Sequence, residues 1–114
     1  MTNEFLDWIE DILDAMEKAV VLLEGVTFDR FEADFRINFA VVRALEIIGE
    51  ATKRLPEEVR QRYPDMPWRG MAGMRDRIIH GYDTVDHQIV WDVVKRDIPQ
   101  IEPRIRQILS DYED

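Results

Sequence analysis

Apolar side chains recur every three or four residues through most of the chain, and this spacing is typical of amphipathic α-helices. The most regular run fills the first 25 residues: Phe5, Trp8, Ile9, Ile12, Leu13, Met16, Val20 and Leu23. Acidic side chains occupy the opposite face of this predicted helix. Thr2 or Asn3 can cap its start, and Gly25 can end it, because glycine readily adopts the left-handed conformation of a helix terminus.

A second long amphipathic helix is predicted from about Ala33 to Arg54. Gly49 lies in its middle, where glycine costs about 1 kcal/mol relative to alanine. Such a glycine indicates that a neighbouring helix packs closely against this point of the backbone. Before this helix, Thr27 can cap a short turn over residues 28–31.

Proline and glycine residues divide the second half of the chain into shorter pieces. Pro56 suits the first turn of a short helix over residues 57–63, because the N–H that proline lacks is not needed there. The segment Pro64–Pro67 is a clear break. A further helix is predicted over roughly residues 68–80, and Gly81 is its natural terminator.

The last predicted helix starts near Asp86 and carries regularly spaced isoleucine, leucine and valine side chains. Pro99 and Pro103 should kink or interrupt it, because each removes a backbone N–H and clashes with the preceding turn. No segment alternates apolar and polar residues for long enough to predict a β-strand. The sequence therefore predicts an all-α fold in one domain over residues 1–114. This fold is a compact up-down bundle of about four main helices with one or two short ones.

The composition is that of a globular protein, with 46 % hydrophobic and 34 % charged residues. The sequence contains no cysteine, which excludes a disulfide scaffold, thiol catalysis and cysteine-ligated zinc, and fits a reducing compartment. The first residues lack the basic and then apolar order of a signal peptide. The longest apolar runs are far too short to span a membrane. We therefore expect a soluble cytoplasmic protein.

The formal net charge of −9 argues against nucleic-acid binding when it is taken as a single number, because binding a polyphosphate requires positive charge. The charge is unevenly distributed, however. Residues 36–82 carry nine basic and six acidic side chains, whereas residues 1–35 and 83–114 are acidic. Because the local field determines where a polyanion binds, the pattern predicts a confined anion site in the middle of the chain.

This middle segment ends in a group of chemically capable side chains, namely Arg75, Arg77, His80 and Tyr82. Arg75 and His80 are five residues apart, or about 140° around an ideal helix. Their side chains can converge if the helix ends at His80–Gly81 or if the length of arginine spans the gap. They can also converge if a second copy of the chain completes the site.

These residue types suit cleavage of RNA through its own 2′-hydroxyl. The reaction needs a proton acceptor and donor that titrates near neutrality, which a histidine supplies, and a cation that stabilises charge on the phosphate, which an arginine supplies. No metal ion is required. The competing interpretation is structural, because the helix dipole favours a histidine such as His80 near a helix C-terminus. His87 follows a helix start and is expected to lie at the surface.

No metal site is predicted from the two histidines. A carboxylate-bridged di-metal bundle requires a Glu-x-x-His pair on each of two helices, but Arg77 and Thr84 occupy the positions three residues before the histidines. Glu46 and Glu50 share one helix face with Arg43, and a local ion pair is the simplest interpretation. The alternative is that these glutamates orient an arginine or histidine of a neighbouring helix.

Three other aromatic residues also admit two interpretations. Tyr63, Trp68 and Trp91 could stack on nucleic-acid bases. Packing in the core or at helix junctions is the favoured interpretation for all three.

Several segments resemble the HepT-like toxins of the HEPN superfamily in both order and spacing. Arg75, His80 and Tyr82 form Arg-x4-His-x-Tyr, which is similar to the signature of that family. Residues 44–51 resemble its Leu-Glu-Ile-Ile-Gly-Glu-Ala helix, and residues 63–69 resemble its Tyr-Pro-x-Ile-Pro-Trp segment. The resemblance covers nearly the whole chain.

This resemblance implies a helical bundle that forms a homodimer, with the motifs of two subunits facing one cleft. It implies a metal-independent endoribonuclease without a cofactor, acting as the toxin of a type II toxin–antitoxin pair. The implied partner is a minimal nucleotidyltransferase antitoxin, which neutralises the toxin by transferring AMP to the motif tyrosine. By this resemblance Arg75 would hold the scissile phosphate, His80 would be the general base or acid, and Tyr82 would be the adenylylation target.

Three further residues are expected to contact substrate or to support the catalytic pair: Arg77, Arg43 and Glu46. Position 76 departs from the family, which commonly has asparagine or another polar residue there, and Asp76 would repel RNA or pair with a neighbouring arginine. Asp76 and the acidic surface leave a second function open, a non-enzymatic helical module that docks a nucleotidyltransferase and presents substrate or nucleotide to it. A plain dimerising bundle would explain the fold but not the cluster at residues 75–82.

Overall fold

The computed structural model describes residues 4–113 of the chain. Within this range the chain forms eight α-helices and one π-helical turn, joined by short loops. The elements are α1 (Phe5–Leu23), α2 (Phe28–Ala33), α3 (Phe35–Arg54), α4 (Glu57–Arg62), α5 (Trp68–Ala72), α6 (Met74–Ile78), α7 (His87–Asp92), the π-helical turn (Val93–Asp97) and α8 (Ile98–Asp111). No β-strand occurs in this range, so the all-α prediction is confirmed. None of these helices is long and apolar enough to cross a membrane.

The two longest helices, α1 and α3, pack against each other, and α8 packs on α1. The apolar stripe predicted for α1 is its buried face, where Ile9 and Ile12 are completely buried. Leu45 and Ile48 supply the facing part of the core from α3. Each such side chain contributes about 1.5–3 kcal/mol when it leaves water. The three-to-four-residue spacing in the sequence therefore identifies the core as well as the helices.

The connection between α1 and α2 follows the sequence signals. Gly25 has a φ of 68°, in the left-handed region that favours glycine, and it comes directly after Glu24, the C-cap of α1. Thr27 caps α2, since its hydroxyl accepts a hydrogen bond from the backbone N–H of Arg30 at 3.2 Å. Both predictions are confirmed. The caps proposed for the start of α1, Thr2 and Asn3, lie outside the described residues.

Helix α3 begins at Phe35, two residues later than predicted, because Asp34 separates it from α2. Asp34 has an extended backbone, and its carboxylate accepts a hydrogen bond from the backbone N–H of Arg36 at 3.0 Å. Its own N–H ends α2 by donating to the carbonyl of Arg30. One aspartate thus ends one helix and starts the next.

Gly49 lies where α5 and α6 pack against α3. A Cβ atom placed on this glycine would lie 3.3 Å from the Cβ of Met74 and 3.4 Å from the backbone carbonyl oxygen of Met71. Any larger side chain would therefore push α5 and α6 away from α3. The prediction of a close neighbouring helix at this residue is confirmed.

The helix predicted over residues 68–80 is instead two short helices, α5 and α6, which meet at Gly73. Helix α6 ends at Ile78, before His80 is reached. In the last helical region, Pro99 lies in the first turn of α8, directly after the π-helical turn that interrupts the helix. Pro103 lies inside α8 and does not interrupt it, because the helix continues to Asp111.

The aromatic residues at the helix junctions pack as the favoured interpretation predicts. Tyr63 and Trp68 are buried, and the indole N–H of Trp68 donates to the carbonyl of Tyr63 at 2.9 Å. The Tyr63 hydroxyl donates to the Asp111 carboxylate at 2.9 Å, and burial raises the pKa of this phenol, so it remains a neutral donor. Trp91 packs edge-on against Phe28, with ring centroids 5.5 Å apart.

Candidate active site

A short closed loop joins α6 to α7 and carries two of the motif residues. Ile79 and Val85 pair across its base as an isolated antiparallel bridge. The backbone N–H of His80 donates to the carbonyl of Thr84, and that of Asp86 donates to the carbonyl of Ile78, each at 2.8 Å. The N–H of Ile79 still makes a helical bond to the carbonyl of Arg75, but the N–H of His80 and the carbonyl of Ile78 pair across the loop instead, which explains why α6 ends early. The angle of about 140° expected from an ideal helix therefore does not apply to Arg75 and His80.

Asp86 connects this loop to α7 and also faces the imidazole of His80. One carboxylate oxygen accepts a hydrogen bond from the backbone N–H of Ile89 at 3.0 Å and so caps α7. The other lies 4.0 Å from Nε2 of His80, at the limit of an ion pair. Because the cap fixes the carboxylate, Asp86 presents a negative charge to His80 in a defined position. The His80 side chain is about half exposed, at 52 %.

Tyr82 lies at the tip of the loop and is fully exposed. Its hydroxyl makes no hydrogen bond to any of residues 4–113. The loop is fixed at its base while its tip carries a free phenol, and this arrangement leaves the hydroxyl accessible to another molecule.

Arg75 projects from α6 as an exposed cation without an ion-pair partner in the described part of the chain. It borders a cavity of about 320 Å³ between α3 and the loop. Glu46 of α3 and Tyr82 of the loop border the same cavity. A guanidinium that is unpaired and next to a cavity can hold a phosphate bidentately.

The remaining predicted site residues lie apart from this cavity. Arg77 forms an ion pair with Asp97 of the π-helical turn at 3.3 Å and borders a different hollow. Arg43 is exposed on α3 and does not border the cavity. Asp76 is exposed, and it forms no ion pair with Arg75 or with Arg77 in the described structure. The structure therefore brings Arg75, Tyr82 and Glu46 together, with His80 two residues from the tyrosine.

The cavity also contains residues that the sequence did not single out. Asn38 and Phe39 of α3 line it, and so does His87 at the start of α7. His87 is half-buried, and its ring packs against Phe31 with centroids 5.4 Å apart, so it forms part of the cavity wall and is only partly exposed at the surface. One sequence signal pointed to Asn38, because it is a polar residue on the apolar face of a long helix.

An exposed aromatic pair extends along α3 from the edge of the cavity. Phe35 and Phe39 are 66 % and 73 % exposed, and their rings contact each other edge to face with centroids 6.1 Å apart. Large apolar side chains exposed side by side are typical of an interaction surface.

Residues 4–113 contain no group of three or more histidine or carboxylate side chains arranged to hold a metal ion. The polar side chains that line the cavity include Arg75, Glu46, Tyr82 and His87.

Comparison with known proteins places the chain among ribonucleases. The model of the family described as "Ribonuclease HepT-like" matches residues 12–108. A protein of Thermococcus cleftensis named "Probable ribonuclease HepT" is 41 % identical, over 95 % of this chain and 98 % of that protein. Proteins of Methanocaldococcus jannaschii and Caldanaerobacter subterraneus, both named "Putative RNase", are 41 % and 40 % identical, over 93 % and 90 % of this chain and 88 % and 92 % of their own length. No solved structure shows a significant match.

The capping role of Asp86 predicts how stability responds to its replacement. Asp86→Ala should lower the free energy of unfolding by about 1 kcal/mol, because α7 loses its N-cap, whereas Asp86→Asn keeps a capping oxygen and should cost much less. Urea denaturation followed by circular dichroism measures both. Asp83→Ala, in the same loop, is the control and should stay within about 0.5 kcal/mol of the parent protein. An equal decrease in the free energy of unfolding of the two Asp86 variants would contradict this, because it would show that the charge of Asp86, and not its capping oxygen, stabilises the folded protein.

Proposed function

Because the chain belongs to the ribonuclease HepT-like family, we propose that it is an endoribonuclease that cleaves RNA without a metal ion. The observation that carries this proposal is that α6 presents an exposed Arg75 with no ion-pair partner among residues 4–113, and that the closed loop directly after this helix carries His80. The two residues supply a phosphate-binding cation and a proton carrier, which are the two groups that this reaction needs.

In the proposed reaction the 2′-hydroxyl oxygen attacks the adjacent phosphorus, and the bond from phosphorus to the 5′-oxygen of the next nucleotide breaks. The products are a 2′,3′-cyclic phosphate and a free 5′-hydroxyl. His80 acts as the base that takes the 2′-hydroxyl proton or as the acid that protonates the leaving 5′-oxygen. Arg75 binds the non-bridging oxygens and stabilises the charge that grows on them. Asp86 faces Nε2 of His80 at 4.0 Å and can help to hold the imidazole in position during this transfer.

We propose a homodimer in which Phe35, the member of the exposed aromatic pair of α3 that lies outside the cavity, packs against a second copy. The ring of Phe35 contacts that of Phe39, which borders the cavity, so an interface there would bring two Arg75–His80 sites to one cleft. Two sites facing each other would let one histidine act as base and the other as acid. A monomeric mass in sedimentation at micromolar concentration would contradict this assembly.

We further propose that the chain is the toxin of a type II toxin–antitoxin pair and that a minimal nucleotidyltransferase antitoxin silences it by adenylylating Tyr82. The exposed hydroxyl at the loop tip supports this proposal, because an enzyme can reach it without unfolding the chain. Each AMP would add a phosphodiester charge and a bulky nucleoside beside Arg75. Both effects would exclude RNA, by repulsion and by steric hindrance.

The catalytic proposal is tested by cleavage of RNA with protein that is free of its antitoxin. His80→Ala should lower the rate by about 10²–10⁴-fold, the contribution typical of a general acid or base. Arg75→Ala should lower it by about 10²–10³-fold, as expected for loss of an oxyanion-stabilising donor. Arg69→Ala is the matched control, since Arg69 is an exposed arginine of α5 outside the cavity.

Cleavage that His80→Ala leaves undiminished would overturn the catalytic proposal. A parent protein that cleaves nothing but binds its nucleotidyltransferase tightly would favour the non-enzymatic module instead.

The silencing proposal predicts a change in mass. Co-expression with the nucleotidyltransferase encoded beside this gene should add one or more AMP units to the intact chain and abolish cleavage. Tyr82→Phe should remain unmodified and active in the same experiment, whereas Tyr112→Phe should be modified like the parent. AMP mapped by peptide mass spectrometry to a residue other than Tyr82 would contradict the proposal.

A further inference from the structure

The cavity beside Arg75 has the size and composition of a small-molecule site. Its volume of about 320 Å³ lies at the lower end of the range for ligand pockets, about 300–1,000 Å³. Apolar side chains of Val42, Ile79 and Val85 line it, and the exposed ring of Phe39 borders it. Such a surface favours a flat ligand with an apolar face and a few polar atoms at its edge.

Asn38 places an unused acceptor in this cavity. The residue is only 5 % exposed, and its Nδ2 donates to the backbone carbonyls of Phe31 and Glu32 at 3.0 and 3.2 Å. These two acceptors fix the orientation of the amide. No hydrogen bond from residues 4–113 reaches Oδ1. This oxygen is open to the cavity and to solvent, so a ligand that donates a hydrogen bond to it replaces water there.

Glu46 provides a second acceptor from the same helix. It is half-buried, borders the cavity and forms no ion pair in the described part of the chain. Asn38 and Glu46 are eight residues apart on α3, or roughly 12 Å along the helix axis. The two acceptors therefore lie at opposite ends of an apolar groove, with Val42 between them. A nucleoside has a matching shape, with a flat base that carries donors at one end and sugar hydroxyl groups at the other.

We propose that this cavity binds a guanine base of the RNA substrate, with the Glu46 carboxylate accepting hydrogen bonds from the base. The proposal rests on the ribonuclease function proposed above. Phe39 stacks on the face of the base, and Asn38 accepts a hydrogen bond from a hydroxyl of the attached sugar.

The donor pattern of the bases selects guanine. An ionised carboxylate only accepts hydrogen bonds, and unpaired RNA bases are read on their exposed edges. Guanine alone offers two adjacent donors on its Watson–Crick edge, the N1–H and the 2-amino group. Adenine and cytosine each place a ring-nitrogen acceptor beside their single amino group, and uracil has one N–H between two carbonyl oxygens. Glu46 would repel these acceptors.

Nucleotide binding tests the inference without requiring any cleavage. The full chain, labelled with ¹⁵N, is titrated with guanosine, inosine and uridine 3′-monophosphates and followed by amide NMR. Guanosine monophosphate should bind about tenfold more tightly than uridine monophosphate, a difference within the range of bidentate base recognition. Inosine monophosphate, which lacks the 2-amino group, should fall between them. The largest shifts should be those of Phe39 and Val42.

A pair of variants on α3 provides the matched control. Glu46→Gln replaces one accepting oxygen by a donor and should reduce guanosine monophosphate affinity to the level of uridine monophosphate. Glu50→Gln changes an exposed glutamate one turn further along the helix and should leave the affinity unchanged. The inference is overturned if the three nucleotides bind alike, if Glu46→Gln has no effect, or if both variants lose affinity equally. It is also overturned if a second copy of the chain excludes the nucleotides.

The outcomes for this site and for the proposed function are separable. Selective guanine binding by a protein that cleaves no RNA would retain the base site and reject the ribonuclease proposal. Cleavage of RNA by a protein that binds no nucleotide selectively would retain the ribonuclease proposal and reject the base site.

Discussion

The close packing of α6 on α3 at Gly49 determines where the candidate site residues lie. Because this glycine has no side chain, Met74 and the backbone at Met71 approach α3 within van der Waals contact of the position that a Cβ would occupy. Helix α6 then projects Arg75 over the same face of α3 that carries Glu46, and the loop after α6 starts at the edge of that face. A larger residue at position 49 would crowd Met74 and the backbone at Met71 and so shift the helix that carries Arg75.

The second constraint is the closed loop between α6 and α7, which converts a helix end into a rigid support. The bridge between Ile79 and Val85 and the capping carboxylate of Asp86 fix both ends of the loop. His80 lies at the fixed base, while Tyr82 lies at the free tip. The difference suits their proposed roles, because a proton carrier must be held in position and a modification target must be accessible. A chain with a net charge of −9 can nevertheless present an anion site here, because Arg75 has no carboxylate partner among the described residues.

Much of the fold could be predicted from local patterns in the sequence. The apolar spacing of α1 and α3, the Thr27 cap and the close contact at Gly49 all rest on interactions between near neighbours or on the absence of a side chain. The early end of α6 could not be predicted, because it results from backbone pairing between residues 79–80 and 84–86, which no helical pattern reveals. The continuation of α8 through Pro103 could not be predicted either. The helix tolerates the N–H that this proline lacks, because neighbouring residues of α8 remain packed in the core.

The candidate site divides in a similar way. The spacing of Arg75, His80 and Tyr82 was visible in the sequence, and so was the family resemblance. The ion pair of Arg77 with Asp97, the position of Asp86 opposite His80 and the free acceptor of Asn38 depend on contacts between separate elements. Pairings of this kind follow from the packing of the helices, so a single sequence does not reveal them.

The most direct test of the account is the chemistry of the RNA ends. An RNA that the protein cleaves is compared with the same RNA carrying a single 2′-deoxynucleotide on the 5′ side of the cleaved bond, both in the presence of a metal chelator. The account predicts a 2′,3′-cyclic phosphate and a 5′-hydroxyl from the first RNA and no cleavage at that position of the second. Cleavage of the deoxy-substituted bond, or a requirement for added divalent metal, would contradict it.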